Sequence, residues 1–383
     1  MPVEGAIHID LAVADGSFSH VGIRNRRLLT ATRPLVGRVA DDVPGLISRL
    51  FSICRMAQGL AAAEAVERAR GLVPTPAQEA ARLFLIAGET VLEHAGRACL
   101  DWAQLLGEPP AIAVLKSLRG TLVDLHRLVY PQGDWARPGG GILRIDEEAL
   151  RQAMASVAAG LGEVVFGTSV PETGAAWVSW SAAGETVAAR LAARLLTDGL
   201  AGFGAAEVPA LPVLDRDRLN IRLENDHTGE FICQPDWDGR LFHTGPLARR
   251  ADHPLVADIV AGFGPGLLAQ IAARVAELSV LLREMQDFGH GLCNDSSSQS
   301  MPPAVSGLAV VEAARGRLVH RVEAGGDIVT RYQILAPTEW NFHPRGAFVQ
   351  GLQGRPAGPD PKARAALLVA ALDPCVACQI EGP

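Results

Sequence analysis

The sequence has few lysines, few cysteines and no long apolar run, and each shortage excludes a class of protein. Lys116 and Lys362 are the only lysines, and the net charge is −7 at pH 7. A negative net charge argues against nucleic acid as a partner. Six cysteines in 383 residues are too few for a disulfide framework, which favours a reducing, cytoplasmic location.

No apolar run approaches the roughly 18 residues that suggest a membrane span. The first residues also lack the basic and apolar regions of a secretory signal. Hydrophobic residues make up 48% of the chain and charged residues 20%, a composition typical of a globular protein with a large core. We therefore expect a folded cytoplasmic protein without a membrane span.

The spacing of apolar residues differs between the two ends of the chain and its long middle part. Alternation of apolar and polar residues near both ends predicts β-strands, and helical spacing dominates the long stretch between them. The sequence thus predicts an α+β fold, a helical-bundle core flanked by β-hairpins, and its length suffices for two or three average domains or one large one. Its predicted parts are a β-hairpin at 5–27, a helical core at about 43–287, a β-hairpin at 308–336, and a C-terminal helix with a cysteine motif at 360–383.

Several helix boundaries follow from capping residues. Thr75, Pro76 and Gln78 form a capping-box pattern, and Asp360 precedes a proline at the first helical position. The predicted helices cover 43–70 with a break near Cys54, 76 to about 106, 112–130, 147–161, 184–196 and 264–287. Residues 205–260 are mixed in pattern, and the Ser- and Gly-rich residues 290–305 are predicted to be mobile.

The last stretch, Asp373-Pro-Cys-Val-Ala-Cys378, carries a Cys-x-x-Cys pair directly after a capped helix. Two thiols at this spacing suit one metal ion or a redox disulfide. They also occur as a reduced, partly buried pair with no ligand, so the pair alone leaves these alternatives open.

Five stretches, in chain order, resemble motifs of the large catalytic subunit of nickel–iron hydrogenases. The motifs are E-G-H-L-x-I, R-I-C-G-V-C-P-x-A-H-A-x-A, E-A-P-R-G, P-[ST]-x-W-N and D-P-C-x-x-C. The matching stretches are residues 3–10, 48–67, 312–316, 337–341 and 373–378. The resemblance spans nearly the whole chain. It implies a single domain over residues 1–383 with that family's fold, a bundle of long helices flanked by β-structure.

The departures from that family are informative. Its two cysteine pairs hold nickel and iron, and the second cysteine of each pair bridges both metals. Here Phe51 occupies the position of the first cysteine, Gln58 replaces a histidine, and Glu381 replaces another. The bridging cysteines, Cys54 and Cys378, remain. The resemblance therefore implies iron binding without a full nickel site, and nickel is not expected.

This combination resembles the HupK/HoxV-type hydrogenase accessory proteins. The resemblance implies a protein that is not an enzyme and that acts in maturation as a scaffold for the Fe(CN)2(CO) fragment. It implies two kinds of partner: maturation proteins that build or deliver the fragment, and the nickel–iron hydrogenase large subunit. Its alternatives are a metal-free chaperone that mimics the large subunit and, less favoured, a thiol oxidoreductase using Cys375 and Cys378.

The resemblance also assigns roles to residues. Cys54 and Cys378 would hold the iron, and Cys375 is a third candidate metal ligand or a thiol for transfer. Arg315 and Thr338, after Pro337, would contact the cyanides. Glu4 matches a proton-relay residue whose role is doubtful without nickel, and the remaining cysteines match no motif: Cys99, Cys233 and Cys293.

Two physical expectations follow for Cys54. The sulfurs of Cys54 and Cys378 should lie within about 4 Å, because two ligands of one iron have bonds of roughly 2.3 Å. The position of Cys54 just before a helix at 56–69 should lower its pKa and favour the thiolate.

Overall fold

The computed structural model describes residues 5–25, 31–288, 299–300 and 304–383. Helices dominate the described residues, and three small sheets accompany them. None of the described helices is both long and apolar enough to cross a membrane.

The strands are β1 Ala6–Ala14, β2 Ser17–Arg24, β3 Leu72–Val73, β4 Gln299–Ser300, β5 Ser306–Ala313, β6 Gly316–Gly325, β7 Ile328–Leu335 and β8 Ala377–Glu381. The first nine helices are α1 Val43–Leu50, α2 Arg55–Arg70, α3 Pro76–Arg97, α4 Ala103–Leu106, α5 Ile112–Val123, α6 Leu125–Val129, α7 Glu147–Leu161, α8 Gly174–Ala183 and α9 Val187–Thr197. The others are α10 Arg216–Asn225, α11 Glu230–Cys233, α12 Pro246–Arg249, α13 Pro254–Phe263, α14 Leu267–Asp287, α15 Pro337–Asn341, α16 Ala347–Leu352 and α17 Pro361–Leu372.

The chain's two ends meet in one sheet. Strands β1 and β2 form the predicted antiparallel hairpin, and β8 adds to β1 in parallel, with Cys378 opposite Ile7. Strand β8 was not predicted, because a five-residue strand at a chain end has no turn partner beside it in sequence. Its pairing with β1 fixes the second half of the Cys-x-x-Cys motif, including Cys378.

A second sheet holds β5, β6 and β7 in antiparallel order. The hairpin predicted at 308–336 is therefore three-stranded. Helix α2 packs directly on β5, at a point where a Cβ at Gly307 would collide with the carbonyl oxygen of Ala65. Glycine in the strand and alanines in the helix let the two backbones approach this closely.

Most predicted helices are confirmed. Thr75 and Gln78 exchange both bonds of a capping box, and the Asp360 side chain caps α17. The helix predicted over 112–130 is wrong in one respect, because it breaks at Asp124 into α5 and α6. Helix α8 was missed, and the mixed region at 205–260 contains α10 to α13.

Helix α2 separates two apolar clusters. Met56 and Leu60 belong to a large cluster formed by the long helices and the β1–β2 hairpin, whereas Ala57 and Ala61 belong to a cluster under the β5–β7 sheet. An apolar surface on both sides is typical of a fully buried helix. The turn that precedes α2 therefore lies where the two clusters meet.

Candidate functional site

The Cys54 turn is anchored by a carboxylate from α3. Cys54 is the N-cap residue of α2, and the first backbone N–H groups of a helix lack partners within the helix. Glu89 supplies them, accepting from the backbone N–H of Met56 at 2.7 Å and of Ala57 at 3.0 Å. Burial raises the pKa of Glu89 to about 7; the two N–H bonds oppose this shift, and the charge of Glu93 adds to it.

The C-terminal motif is anchored by arginines. Helix α17 ends at Leu372, and Asp373 adopts a left-handed backbone with φ 50°. The buried Asp373 carboxylate lies 2.7 Å from Arg97 Nη2 and 3.4 Å from Arg315 Nη2. Burial disfavours the charged carboxylate, but the cations of Arg315 and Arg97 outweigh it and lower the pKa of Asp373. Asp373 thereby fixes where Pro374 and Cys375 leave the helix.

Arg315 lies at the turn between β5 and β6 and is 5% exposed. Its Nη2 donates to Glu93 Oε2 at 2.8 Å. Burial opposes the charged form, yet the carboxylates of Asp373 and Glu93 prevail and raise the pKa of Arg315. Its Nε and Nη1 groups are buried and have no hydrogen-bond partner within the described residues. Buried charged donors of this kind are suited to an anionic acceptor.

Cys375 belongs to the C-terminal motif that Asp373 anchors, and it contacts helix α15. Its Sγ is 3.5 Å from Thr338 Oγ1, and either atom can be the donor. Thr338 and Pro337 begin the short helix α15, and both are buried. Thr338 is thus a hydroxyl in the site rather than a surface turn residue.

The thiol of Cys54 is more difficult to ionise than the sequence predicted. Burial raises its pKa well above the ordinary value, and the charges of Cys375 and Glu89 raise it further; Arg315 and Gln58 act in the opposite direction. The expectation of a lowered pKa is therefore wrong. Desolvation outweighs the helix N-terminus, whose free N–H groups are already bonded to Glu89.

Two clefts reach this region from the surface and share Ile53, Arg97 and Asp101. One, of about 560 Å³, is lined by Glu89 and Glu93. The other, of about 680 Å³, is lined by residues 373–377, including Cys375. Ile53 adjoins Cys54 in sequence and lines the same cleft as Cys375, so the two cysteine motifs are neighbours.

Comparison with known proteins identifies the family. Residues 266–381 match the nickel-dependent hydrogenase family. The fold is similar to that of the Ni-Fe-Se hydrogenase from Desulfovibrio vulgaris Hildenborough in its reduced state, with a TM-score of 0.69, 16% identity and 95% of each chain covered. At this identity the likeness concerns the fold, and it confirms the predicted α+β architecture.

Closer relatives decide the family. The hydrogenase expression/formation protein HoxV of Cupriavidus necator is 33% identical, covering 94% of this chain and 92% of that protein. A second relative is the hydrogenase expression/formation protein HupK of Rhizobium leguminosarum bv. viciae. It is 30% identical, covering 98% of this chain and 96% of that protein. The chain belongs to the HupK/HoxV hydrogenase expression/formation family. The family predicted from five short motifs is confirmed.

Within this HupK/HoxV-type fold, the predicted site residues fall into two groups. The contacts and charge interactions described above bring four of them together: Cys54, Cys375, Arg315 and Thr338. Cys378 lies on β8, partly buried against the large apolar cluster. Its sulfur is predicted to lie within about 4 Å of that of Cys54, and this separation stays a prediction.

Other predicted residues have different positions. Phe51 is 4% exposed and belongs to the apolar cluster under the β5–β7 sheet. Cys99 is buried in the turn that follows α3. Glu4, Cys293 and most of residues 290–305 lie outside the described residues. In the part of the chain that the structure describes, no three or more His, Cys, Asp or Glu side chains form a group suited to a metal.

The sequence analysis missed the anchoring residues. Glu89 and Glu93 occur four positions apart on a largely apolar helix, a spacing that places two carboxylates on one face. Arg97 continues the same face one turn further. The signal was present, but the partner of each residue comes from a distant part of the chain.

Proposed function

We propose that this chain holds the Fe(CN)2(CO) fragment as cargo during hydrogenase maturation and passes it to the nickel–iron hydrogenase large subunit. Cys54 and Cys378 would bind the iron. The observation that carries the proposal is Arg315, a buried guanidinium beside Cys54 whose Nε and Nη1 have no hydrogen-bond partner among the described residues. Relatives described as hydrogenase expression/formation proteins support a role in maturation.

The chemistry of the donors fits this cargo. Iron-bound cyanides are anionic acceptors, and Arg315 offers charge-assisted donors in a buried setting. Thr338 adds a hydroxyl, and Pro337 adds an apolar surface for the carbonyl. The buried Cys54 thiol is neutral by preference. Binding to a metal cation favours its thiolate, so cargo binding compensates for the cost of desolvation.

The same residues lack the full set of thiolates that holds nickel in the hydrogenase family. Phe51 places a buried aromatic ring where the family has a nickel thiolate. Three cysteines at most remain, so we propose that the protein neither retains nickel nor activates hydrogen. An accessory role without catalysis agrees with the descriptions of its relatives.

Cys375 suits a part in transfer. It lines a cleft of about 680 Å³ and contacts Thr338, so a partner thiol could approach it without unfolding the site. We propose that maturation proteins deliver the fragment through this cleft and that the large subunit receives it.

A second candidate is a metal-free chaperone that mimics the large subunit. The TM-score of 0.69 to a hydrogenase over 95% of both chains favours it, because a shared shape suffices to engage shared partners. A thiol oxidoreductase has less support. Redox Cys-x-x-Cys pairs lie at the start of a helix, whereas this pair follows helix α17 and its second cysteine lies on strand β8.

An infrared spectrum of the protein purified anaerobically from its native host tests the scaffold. Cyanide and carbonyl stretches should appear, with iron present and nickel well below stoichiometry. Cys54→Ala and Cys378→Ala should each remove these bands and lower hydrogenase activity in the host, whereas Cys375→Ala should keep the bands. If the Cys54→Ala, Cys378→Ala double variant matures hydrogenase as well as wild type, the metal-free chaperone is the correct function.

A further inference from the structure

A buried chain of hydrogen bonds ends on the sulfur of Cys54. The Tyr332 hydroxyl lies 2.7 Å from His320 Nδ1, and His320 Nε2 lies 2.8 Å from Gln58 Oε1. Gln58 Nε2 in turn donates to Cys54 Sγ at 3.7 Å. Gln58, His320 and Tyr332 are 3%, 0% and 4% exposed, so water does not compete for these bonds.

The fold brings the four groups together from three elements. Gln58 follows Cys54 by one turn of α2, which places its amide over the cysteine. His320 and Tyr332 project from β6 and β7, with their rings edge to face and centroids 5.6 Å apart. The helix that carries Cys54 is thereby tied to the sheet that carries Arg315.

The chain of bonds has a preferred direction. Burial lowers the pKa of His320 to about 3 and raises that of Tyr332, so the imidazole is neutral and the phenol keeps its hydrogen. A neutral imidazole donates from one nitrogen and accepts at the other. If Tyr332 donates to Nδ1, then Nε2 donates to the Gln58 oxygen, and the Gln58 amide N–H points at sulfur.

The opposite direction is less favourable. It would require His320 Nδ1 to donate to the phenol oxygen. Within the described residues, the one hydrogen-bond partner of that hydroxyl is His320. The phenol hydrogen would then be buried without an acceptor, which costs more than leaving an acceptor lone pair unused.

We propose that Gln58 is a positioning residue that holds an N–H donor on the Cys54 sulfur, and that His320 and Tyr332 set the direction of this donor. The proposal rests on the proposed function in one respect, the role of Cys54 as the cargo ligand. An N–H donated to a thiolate stabilises it and reduces the electron density that sulfur gives to iron. The three residues thus tune the bond between this chain and its cargo.

Two substitutions and one control test the chain of bonds. Gln58→Leu removes the donor at similar volume, and Tyr332→Phe removes only the hydroxyl that sets the direction. Tyr130→Phe is the matched control, because the buried Tyr130 hydroxyl has no hydrogen-bond partner in the described part of the molecule. Thermal melting of each variant confirms that it is folded.

The first readout needs no cargo. Iodoacetamide alkylation of Cys54 in the metal-free full chain, followed by peptide mass spectrometry, should slow about fivefold in Gln58→Leu and Tyr332→Phe, the equivalent of one hydrogen bond. Tyr130→Phe should react like wild type. Equal rates in all four folded proteins would overturn the proposal whether or not the protein carries iron.

The second readout is the infrared spectrum of the protein purified with its cargo. Loss of the N–H donor should move the carbonyl stretch to lower wavenumber in Gln58→Leu and Tyr332→Phe but not in Tyr130→Phe. If the wild-type protein shows no cyanide or carbonyl bands, only the proposed function is contradicted. The alkylation rates test the chain of hydrogen bonds independently of any cargo. Bands at identical positions in all variants would contradict the tuning role.

Discussion

Replacement of Arg315 by leucine should reduce cargo loading strongly. Arg315 is the buried donor beside Cys54, with Nε and Nη1 unpartnered among the described residues. A hydrogen bond to a charged group contributes about 1.5–3 kcal/mol. Losing one such bond to a cyanide should therefore weaken loading roughly 10- to 150-fold, at about 1.4 kcal/mol per factor of ten.

The same substitution also has a cost for folding that must be separated from loading. Arg315 pairs with Glu93 at 2.8 Å, and removing one partner of a buried ion pair destabilises by about 3–5 kcal/mol. The cost here should be at the lower end, because Asp373 keeps Arg97 at 2.7 Å and Glu93 is partly exposed. A loss of folding stability alone would thus reduce the yield of folded protein, but it would not change the amount of iron per folded molecule.

Arg82→Leu is the matched control. Arg82 forms a buried, two-bond pair with Glu67, and its side-chain hydrogen bonds in the described part of the chain go to Glu67 rather than to Cys54 or Cys375. Its loss should destabilise the fold to a similar degree and leave loading intact. Arg315→Lys keeps the charge but loses the planar fork, so it should load between wild type and Arg315→Leu.

The assay is iron per folded protein together with the integrated cyanide and carbonyl bands, after anaerobic purification. Circular dichroism gives the folded fraction. If folded Arg315→Leu retains the bands at wild-type intensity, the reasoning from the unpartnered guanidinium is refuted.

Three further outcomes are expected. The contribution of His320 to stability should fall by roughly 1.4 kcal/mol per pH unit below about pH 6.5, because its pKa is lowered to about 3 and the folded protein keeps it neutral while the unfolded chain takes up the proton; Glu89, with its pKa raised to about 7, has the opposite pH dependence, so urea unfolding of wild type is compared with that of His320→Gln at pH 7 and pH 5, and an equal difference at both would contradict this. Asp373→Asn should cost about 3 kcal/mol by thermal melting, since Arg97 and Arg315 lose their shared carboxylate; an unchanged melting temperature would show that the contacts are dispensable. Gly316→Ala should cost about 1–3 kcal/mol, because φ is 128° and a Cβ would collide with the Thr244 side chain; denaturant titration checks it, with Gly120→Ala, where space is open, as the control.

Local sequence predicted much of the secondary structure because its determinants are local. The capping box at Thr75 and the cap at Asp360 use residues three positions apart, and both are confirmed. The elements that failed depend on distant partners. Strand β8 exists because it pairs with β1 near the other end of the chain, and Asp124 breaks a helix whose periodicity continues through it.

The sequence by itself determined which chemical groups are candidates for the site. Recognisable motifs contain Cys54, Cys375, Cys378 and Arg315, and Phe51 stands where the hydrogenase motif has a cysteine. These conclusions need only residue identity and order. They were sufficient to name the family.

Only the tertiary structure decided the state of these groups. The pKa of Cys54 rises because burial outweighs the helix N-terminus, and desolvation depends on every surrounding segment at once. Arg315 meets Glu93 across 222 residues, and His320 meets Gln58 across 262. A short stretch of sequence cannot predict contacts between residues this far apart. Hydrophobic packing of the whole chain, rather than proximity in sequence, brings such residues together.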